Sequence, residues 1–131
     1  MRDPTMSVSM PRAASSRWLA CAGALLAAGA VALSAYAAHA AVGDARASLQ
    51  SAAVFAFGHG VALAALARVP RGRLGSAALL ALLCGTLLFC GGLCAAHFLD
   101  VRARTAPFGG TLLILAWLTY AIDAARGGRG N

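Results

Sequence analysis

Lysine and glutamate are both absent from this 131-residue chain, and charged residues of any kind make up only 11% of it. A typical soluble domain carries roughly 25%. A small soluble fold has too little interior to hide the 60% of residues that are hydrophobic here, so the excess must face lipid or neighbouring helices. Charge of one sign is also scarce. Four aspartates stand against eleven arginines, for a formal net charge of +7. That balance does not indicate nucleic acid, because no basic stripe with interleaved aromatics exists, and Trp18 and Trp117 fall in or beside apolar runs. The arginines cluster between the runs, where anionic headgroups attract them. There is no phosphate loop, nucleophile triad, His-Glu zinc motif or dinucleotide fingerprint. No cysteine lies in a connection. Cys84, Cys90 and Cys94 share one uncharged run and Cys21 begins another, which reads as reduced, packed thiols rather than disulfides.

What is present is length without charge. Four uncharged runs cover 18–43, 47–67, 74–99 and 105–122, each close to or above the roughly 20 residues a helix needs to cross a bilayer core. Backbone polar groups cannot go unpaired in hydrocarbon, and no barrel-strand alternation occurs, so the runs read as helices. The connections at 43–46, 68–73 and 100–104 are short, which makes consecutive helices antiparallel neighbours. The expected fold is therefore all-α: an integral membrane protein built as a compact antiparallel four-helix transmembrane bundle. Its helices lie at about 18–43, 47–67, 74–99 and 107–124 within a membrane domain at 17–125. Residues 1–16 are expected to be a disordered cytoplasmic N-terminus and 126–131 a flexible cytoplasmic tail. Met6 and Met10 stand as alternative starts. The stretch 20–38 is almost a continuous surface of Ala and Gly, suited to close helix approach in lipid.

Eight arginines (Arg2, Arg12, Arg17, Arg68, Arg71, Arg73, Arg126 and Arg129) fall on one side of this topology and three (Arg46, Arg102 and Arg104) on the other. The positive-inside rule places both termini in the cytoplasm of a bacterial cell, with the bundle in its inner membrane. A competing reading takes the first run, ending Ala38-His39-Ala40, as a secretory signal with an A-x-A cleavage site. The run is long for a signal core.

Two groups of residues have the chemistry of a site. His59 falls near mid-membrane, where a polar group must find a partner. It reads either as a ligand to heme or a metal or a proton-relay residue, or as a neutral imidazole bonded to a backbone carbonyl or hydroxyl, with Ser34 and Thr86 at matching depth. Cys90, Cys94 and His97 recur at i, i+4 and i+7, one face of a helix, and His39 lies at matching depth near the same end. Together they form a soft set suited to Cu(I) or zinc. The other reading is small-residue packing plus an interfacial histidine. Asp44 with Arg46, and Asp100 with Arg102 or Arg104, read as topology anchors.

These positions resemble a family. LSAYAAH at 33–39, SLQSAAVFAFGHGVALAAL at 48–66, GTLLFCGGLC at 85–94 and PFGGTLLILAW at 107–117 follow the order of the DUF423 family of small inner-membrane proteins, related to the transmembrane protein 256 group. The similarity covers about 18–125. Residues 34–39 take the place of the family's Gly-Ala-aromatic-Gly-Ala-His, with other small residues for both glycines. Residues 55–59 take that of Tyr-Gln-x-x-His and keep only His59. Residues 89–94 take that of Phe-x-Gly-Ser-Leu-Tyr, with Gly92 and Cys94 for serine and tyrosine and Gly91 retained. Pro107, Gly109 and Gly110 keep the Pro-x-Gly-Gly pattern, and Trp117 matches. The resemblance implies a structural role for these helix-four and helix-three residues and a four-helix membrane fold, but no reaction. The expected function is a non-catalytic accessory or packing subunit, in contact with membrane lipids and with another membrane protein or further copies of itself. The alternatives are a heme- or metal-binding membrane protein using His59, His39, His97, Cys90 and Cys94, and a small transporter. No cofactor is specified.

Overall fold

A computed structural model describes residues 10–102 and 104–127 of the chain. Four α-helices make up the fold: α1 (Met10–His39), α2 (Gly43–Leu66), α3 (Arg73–Phe98) and α4 (Ala106–Gly127). All four are long and apolar enough to cross a membrane. They pack as an antiparallel bundle of neighbours. α1 lies along α2, α4 lies along α3, and α2 and α3 join the two pairs. α1 meets α3 at few positions, and among the described residues the backbones of α1 and α4 do not approach. α3 is thus the central element and buries the widest face, from Gly75 and Ala78 through Leu82, Thr86 and Cys90 to Gly92. α4 buries only the stripe Ala106, Gly109, Leu113 and Ala116, at helical spacing.

The helix ends differ from the limits of the uncharged runs, because charge marks where lipid stops and not where a helix stops. α1 starts at Met10, ahead of the run at Trp18, so 10–16 are helical where a disordered terminus was expected. Proline in a first turn forfeits no hydrogen bond, and Pro11 is placed there. The expectation for residues 1–9 and 128–131 lies outside the described residues. α1 ends at His39 rather than near Gly43. Val42 is extended and Gly43 has φ +57°, a left-handed value that suits glycine. Residues 43–46, expected as a connection, are instead the first turn of α2. Asp44 there complements the positive end of the helix dipole. At the far end of α3, Asp100 turns the chain with φ +52°, which aspartate tolerates better than most residues.

Two backbone crossings set the packing. On α1 and α2, a Cβ on Gly23 would stand 2.5 Å from the Gly60 carbonyl oxygen, and one on Gly60 would stand 2.7 Å from that of Gly23. On α3 and α4, a Cβ on Gly109 would strike the Phe89 backbone nitrogen and lie 2.8 Å from Gly85 O. Such contact is how helices gain van der Waals energy in lipid. Between the crossings lies a core of Leu19, Leu63, Leu79, Leu82, Leu83, Leu113 and Ala116. Large apolar side chains also face outward on every helix, such as Leu25 at 68% exposed and Ile114 at 64%. That surface belongs in hydrocarbon rather than water.

Candidate functional site

His59 lies on α2 and faces α4. Its Nδ1 is 2.7 Å from the carbonyl oxygen of Phe55, one turn earlier. A carbonyl only accepts, so Nδ1 carries the hydrogen. Nε2 then holds the lone pair, and it accepts the indole N–H of Trp117 at 3.2 Å. The ring is neutral, its tautomer is fixed and both nitrogens are engaged. The partner is Trp117, not Ser34, which is exposed, or Thr86. Thr86 is fully buried and donates its own hydroxyl to Leu82 O at 2.7 Å.

Aromatic contacts extend from this bond in both directions. Phe55 stacks on His59, with centroids 5.7 Å apart, and meets Phe89 of α3 at 4.7 Å. Trp117 meets Tyr120 edge-on at 5.9 Å. The Arg71 guanidinium lies 4.5 Å from the centre of the Tyr120 ring, a cation–π contact, while Arg71 Nε–H donates to Leu66 O at the end of α2. Beside it the Asp123 carboxylate packs on Gly75 in the first turn of α3, where the helix dipole favours an anion. A ladder of rings therefore runs between α2 and α4, from mid-span to the 67–72 connection. These two helices meet through side chains although their backbones stay apart.

The soft set on α3 is distributed among different neighbours. Cys90 is buried and donates its S–H to Ala52 O on α2 at 3.2 Å. Cys94 is half-buried against the small-residue clusters around Ala30 and Ala37. The Nε2 of His97 lies 3.3 Å from the Tyr36 hydroxyl on α1, and Phe98 packs against both rings. His39 ends α1 and is exposed. Shared depth did not bring His39 to His97, because Tyr36 lies one turn before it and takes that place. Among the described residues, no three His, Cys, Asp or Glu side chains converge as a metal ion requires. The four cysteines are free thiols.

The glycines marked by resemblance separate into two kinds. Gly109 is at the α3–α4 crossing. Gly92 is pressed against the entry to α4, where a Cβ would stand 2.5 Å from Thr105 Oγ1 and 3.1 Å from Ala106 N. Thr105 in turn donates to Leu88 O at 3.2 Å. Gly110 makes only an ordinary contact with Phe89, and around Gly91 there is open space. Pro107 sits in the first turn of α4, and its carbonyl accepts the Thr111 hydroxyl at 3.0 Å. Reading the sequence missed Tyr36 and Arg71 as contact residues. Tyr36 was legible as the aromatic one helical turn before His39. The signal for Arg71 was its place between the end of α2 and the start of α3.

Four apolar helices tied by glycine crossings, one half-buried histidine bonded at both ring nitrogens and short loops define a small polytopic α-helical membrane protein. The chain belongs to the DUF423 family, described as a protein of unknown function, whose model matches residues 33–110. The match begins late in α1 and ends in the first turns of α4. It contains the segments at 34–39, 55–59, 89–94 and 107–110, while Trp117 lies beyond it. No curated protein and no solved structure matches the chain.

Proposed function

We propose that the chain is a non-catalytic packing subunit of a bacterial inner membrane, with both termini cytoplasmic. In this reading it associates laterally with a membrane-protein complex or with further copies of itself. The observation that carries the reading is the double engagement of His59. The one histidine near mid-span uses one nitrogen within its own helix and the other to hold α4. Four other polar groups of the spans behave alike. Thr86, Thr111 and Thr119 donate to carbonyls of their own helices, and Cys90 donates across to α2. These groups serve cohesion of the bundle. α1 and α4 bury the smallest shares of their spans, 22% and 17% against 44% for α3, so broad apolar flanks are open for lateral contact.

Native mass spectrometry of the protein released from membranes in mild detergent tests this. A homo-oligomer or a stoichiometric partner is the expected result. A lone chain carrying heme or a metal ion, with the cargo lost in His59→Ala, would overturn the proposal in favour of the ligand reading.

A further inference from the structure

Two of the four free thiols are neighbours. Cys90 and Cys94 stand one turn apart on α3, and both line the open depression between α1 and α3. Cys90 is buried and bonded to Ala52 O, and Cys94 packs against the cluster that contains Cys90. Gly91 lines the same depression, and a Cβ there would meet nothing within 4 Å. The wall beside the pair therefore has room for an atom.

Spacing limits what the pair can do. Side chains at i and i+4 of a helix have Cβ atoms about 5–6 Å apart. A disulfide needs about 3.5–4.5 Å, so the two thiols cannot join each other while α3 stays wound. An ion held between two sulfurs fits the same spacing. With metal–sulfur bonds of about 2.3 Å, a linear S–metal–S unit spans about 4.6 Å. Each S–Cβ bond leaves that line at slightly more than a right angle, so two Cβ atoms on the same side of it end about 5.5 Å apart.

The number of ligands selects the ion. Thiolates favour Cu(I), zinc and iron–sulfur clusters. Structural zinc and the clusters take four ligands, whereas among the described residues no three His, Cys, Asp or Glu side chains converge. His97 does not join the pair, because its Nε2 is engaged with the Tyr36 hydroxyl. Cu(I), with a filled d shell, is satisfied by two sulfurs in line. It can also reach them. α3 ends at Phe98, so Cys94 lies about 6 Å and Cys90 about 12 Å from that end along the helix axis.

We infer that Cys90 and Cys94 form a two-coordinate site for Cu(I), filled from the end of α3 that carries His97. Binding breaks two S–H bonds and forms two Cu–S bonds. Both protons leave to water, copper stays monovalent and no electron is transferred. The product carries a single negative charge, held one to two turns from the end of the span instead of at its centre, and spread over the ion and two sulfurs. An unmetallated thiolate at that depth costs more. Cys90 gives up its bond to Ala52 O, a carbonyl that keeps its helical partner within α2. The site does not use His59 and is independent of the proposed lateral partner.

The full-length protein in mild detergent is titrated anaerobically with Cu(I) in ascorbate, in competition with the chelator bathocuproine disulfonate. The expected result is one Cu(I) per chain withheld from the chelator. Cys90→Ala and Cys94→Ala should each weaken binding by more than about a hundredfold, beyond what loss of a residue that only supports a ligand causes. Cys21→Ala and Cys84→Ala, which remove the other two thiols, should bind as the wild type does, and so should His97→Ala. Copper left wholly with the chelator overturns the inference, as does a loss in Cys84→Ala or His97→Ala equal to that in Cys94→Ala. His59→Ala should keep its copper, which separates this site from the cargo that would overturn the proposed function. In case the Cys90 variant does not fold, X-ray absorption of the loaded wild type decides. Two sulfur neighbours and the edge feature of linear Cu(I) support the site, and a third sulfur or a nitrogen neighbour overturns it.

Discussion

At the scale of single residues, the informative fact about His59 is which nitrogen carries its hydrogen. Phe55 O and the Trp117 N–H fix that from opposite sides of the ring. Trp117→Phe keeps an aromatic ring and removes the donor, so it isolates the bond between α2 and α4. The expected loss is about 0.5–1.5 kcal/mol of unfolding free energy in detergent, the net value of one hydrogen bond, with the lower end matching membrane interiors. Nitrogen-15 shifts of the imidazole should show the Nδ1–H tautomer in the wild type, and keep it in the variant because the Phe55 bond is intra-helical. An Nε2–H signal in the wild type would contradict the geometry. That His59 needed a partner was readable from its depth alone. That the partner is Trp117 was not, since depth places many residues of other helices in the same layer and only the rotation of α4 selects one. The same limit explains Cys90, Cys94 and His97. Their spacing correctly puts them on one side of α3, yet a central helix has several neighbours: Cys90 bonds to α2, whereas Cys94 and His97 pack against α1.

At the scale of helices, the existence and order of all four elements followed from uncharged length and short connections, and their ends did not. Asp44 and Arg46 belong to the first turn of α2 although they interrupt the apolar run, because charge does not break a helix and an aspartate in the first turn complements the helix dipole. The close crossings were half legible. An abundance of small residues on α1 signals approach without stating which glycine is at the contact. The structure selects Gly23 over Gly29 and Gly60 over Gly58. Substitution should reproduce that choice. Gly23→Ala and Gly60→Ala press a methyl onto backbone atoms at 2.5 and 2.7 Å and should destabilise by about 1–3 kcal/mol, the usual cost of overpacking. Gly109→Ala should behave in the same way at the second crossing. Gly29→Ala and Gly58→Ala meet open space and should be neutral or stabilising by up to about 1 kcal/mol, from helix propensity. Unfolding midpoints of the five variants measure the pattern, and a uniform response would mean the helices do not cross where described.

At the scale of the whole molecule, the bundle has two unlike flanks, and its orientation decides which leaflet each one meets. The ring ladder leads from His59 to Arg71 at the connection between α2 and α3, whereas the Tyr36–His97 pair lies at the opposite end of the spans. In sequence order eight arginines fall before, between or after the spans on the side of the first of these ends and three on the side of the second, so the proposed orientation puts Arg71 and Asp123 on the cytoplasmic face and Tyr36, His97 and Asp100 on the outer one. Arg71 shows why the bias has a structural component as well. Its guanidinium is held over Tyr120 and its Nε–H caps the Leu66 carbonyl at the end of α2, so a charge counted in the proposed orientation also helps to lock the ladder at its end. Single cysteines at Val69 and at Val101, placed in a chain whose native cysteines are replaced by alanine, separate the two orientations. Both valines are exposed in connections. In intact cells a membrane-impermeant maleimide should label Val101→Cys and spare Val69→Cys until the inner membrane is opened. The reverse pattern would place both termini outside and move the Tyr36–His97 pair to the cytoplasmic side. Moving charge across should shift the balance too. Replacing Arg68, Arg71 and Arg73 by glutamine leaves five arginines against three, and a mixed labelling pattern is expected because the bias is then small. An unchanged pattern would mean that the arginines before α1 alone set the orientation, with the first helix dominating insertion.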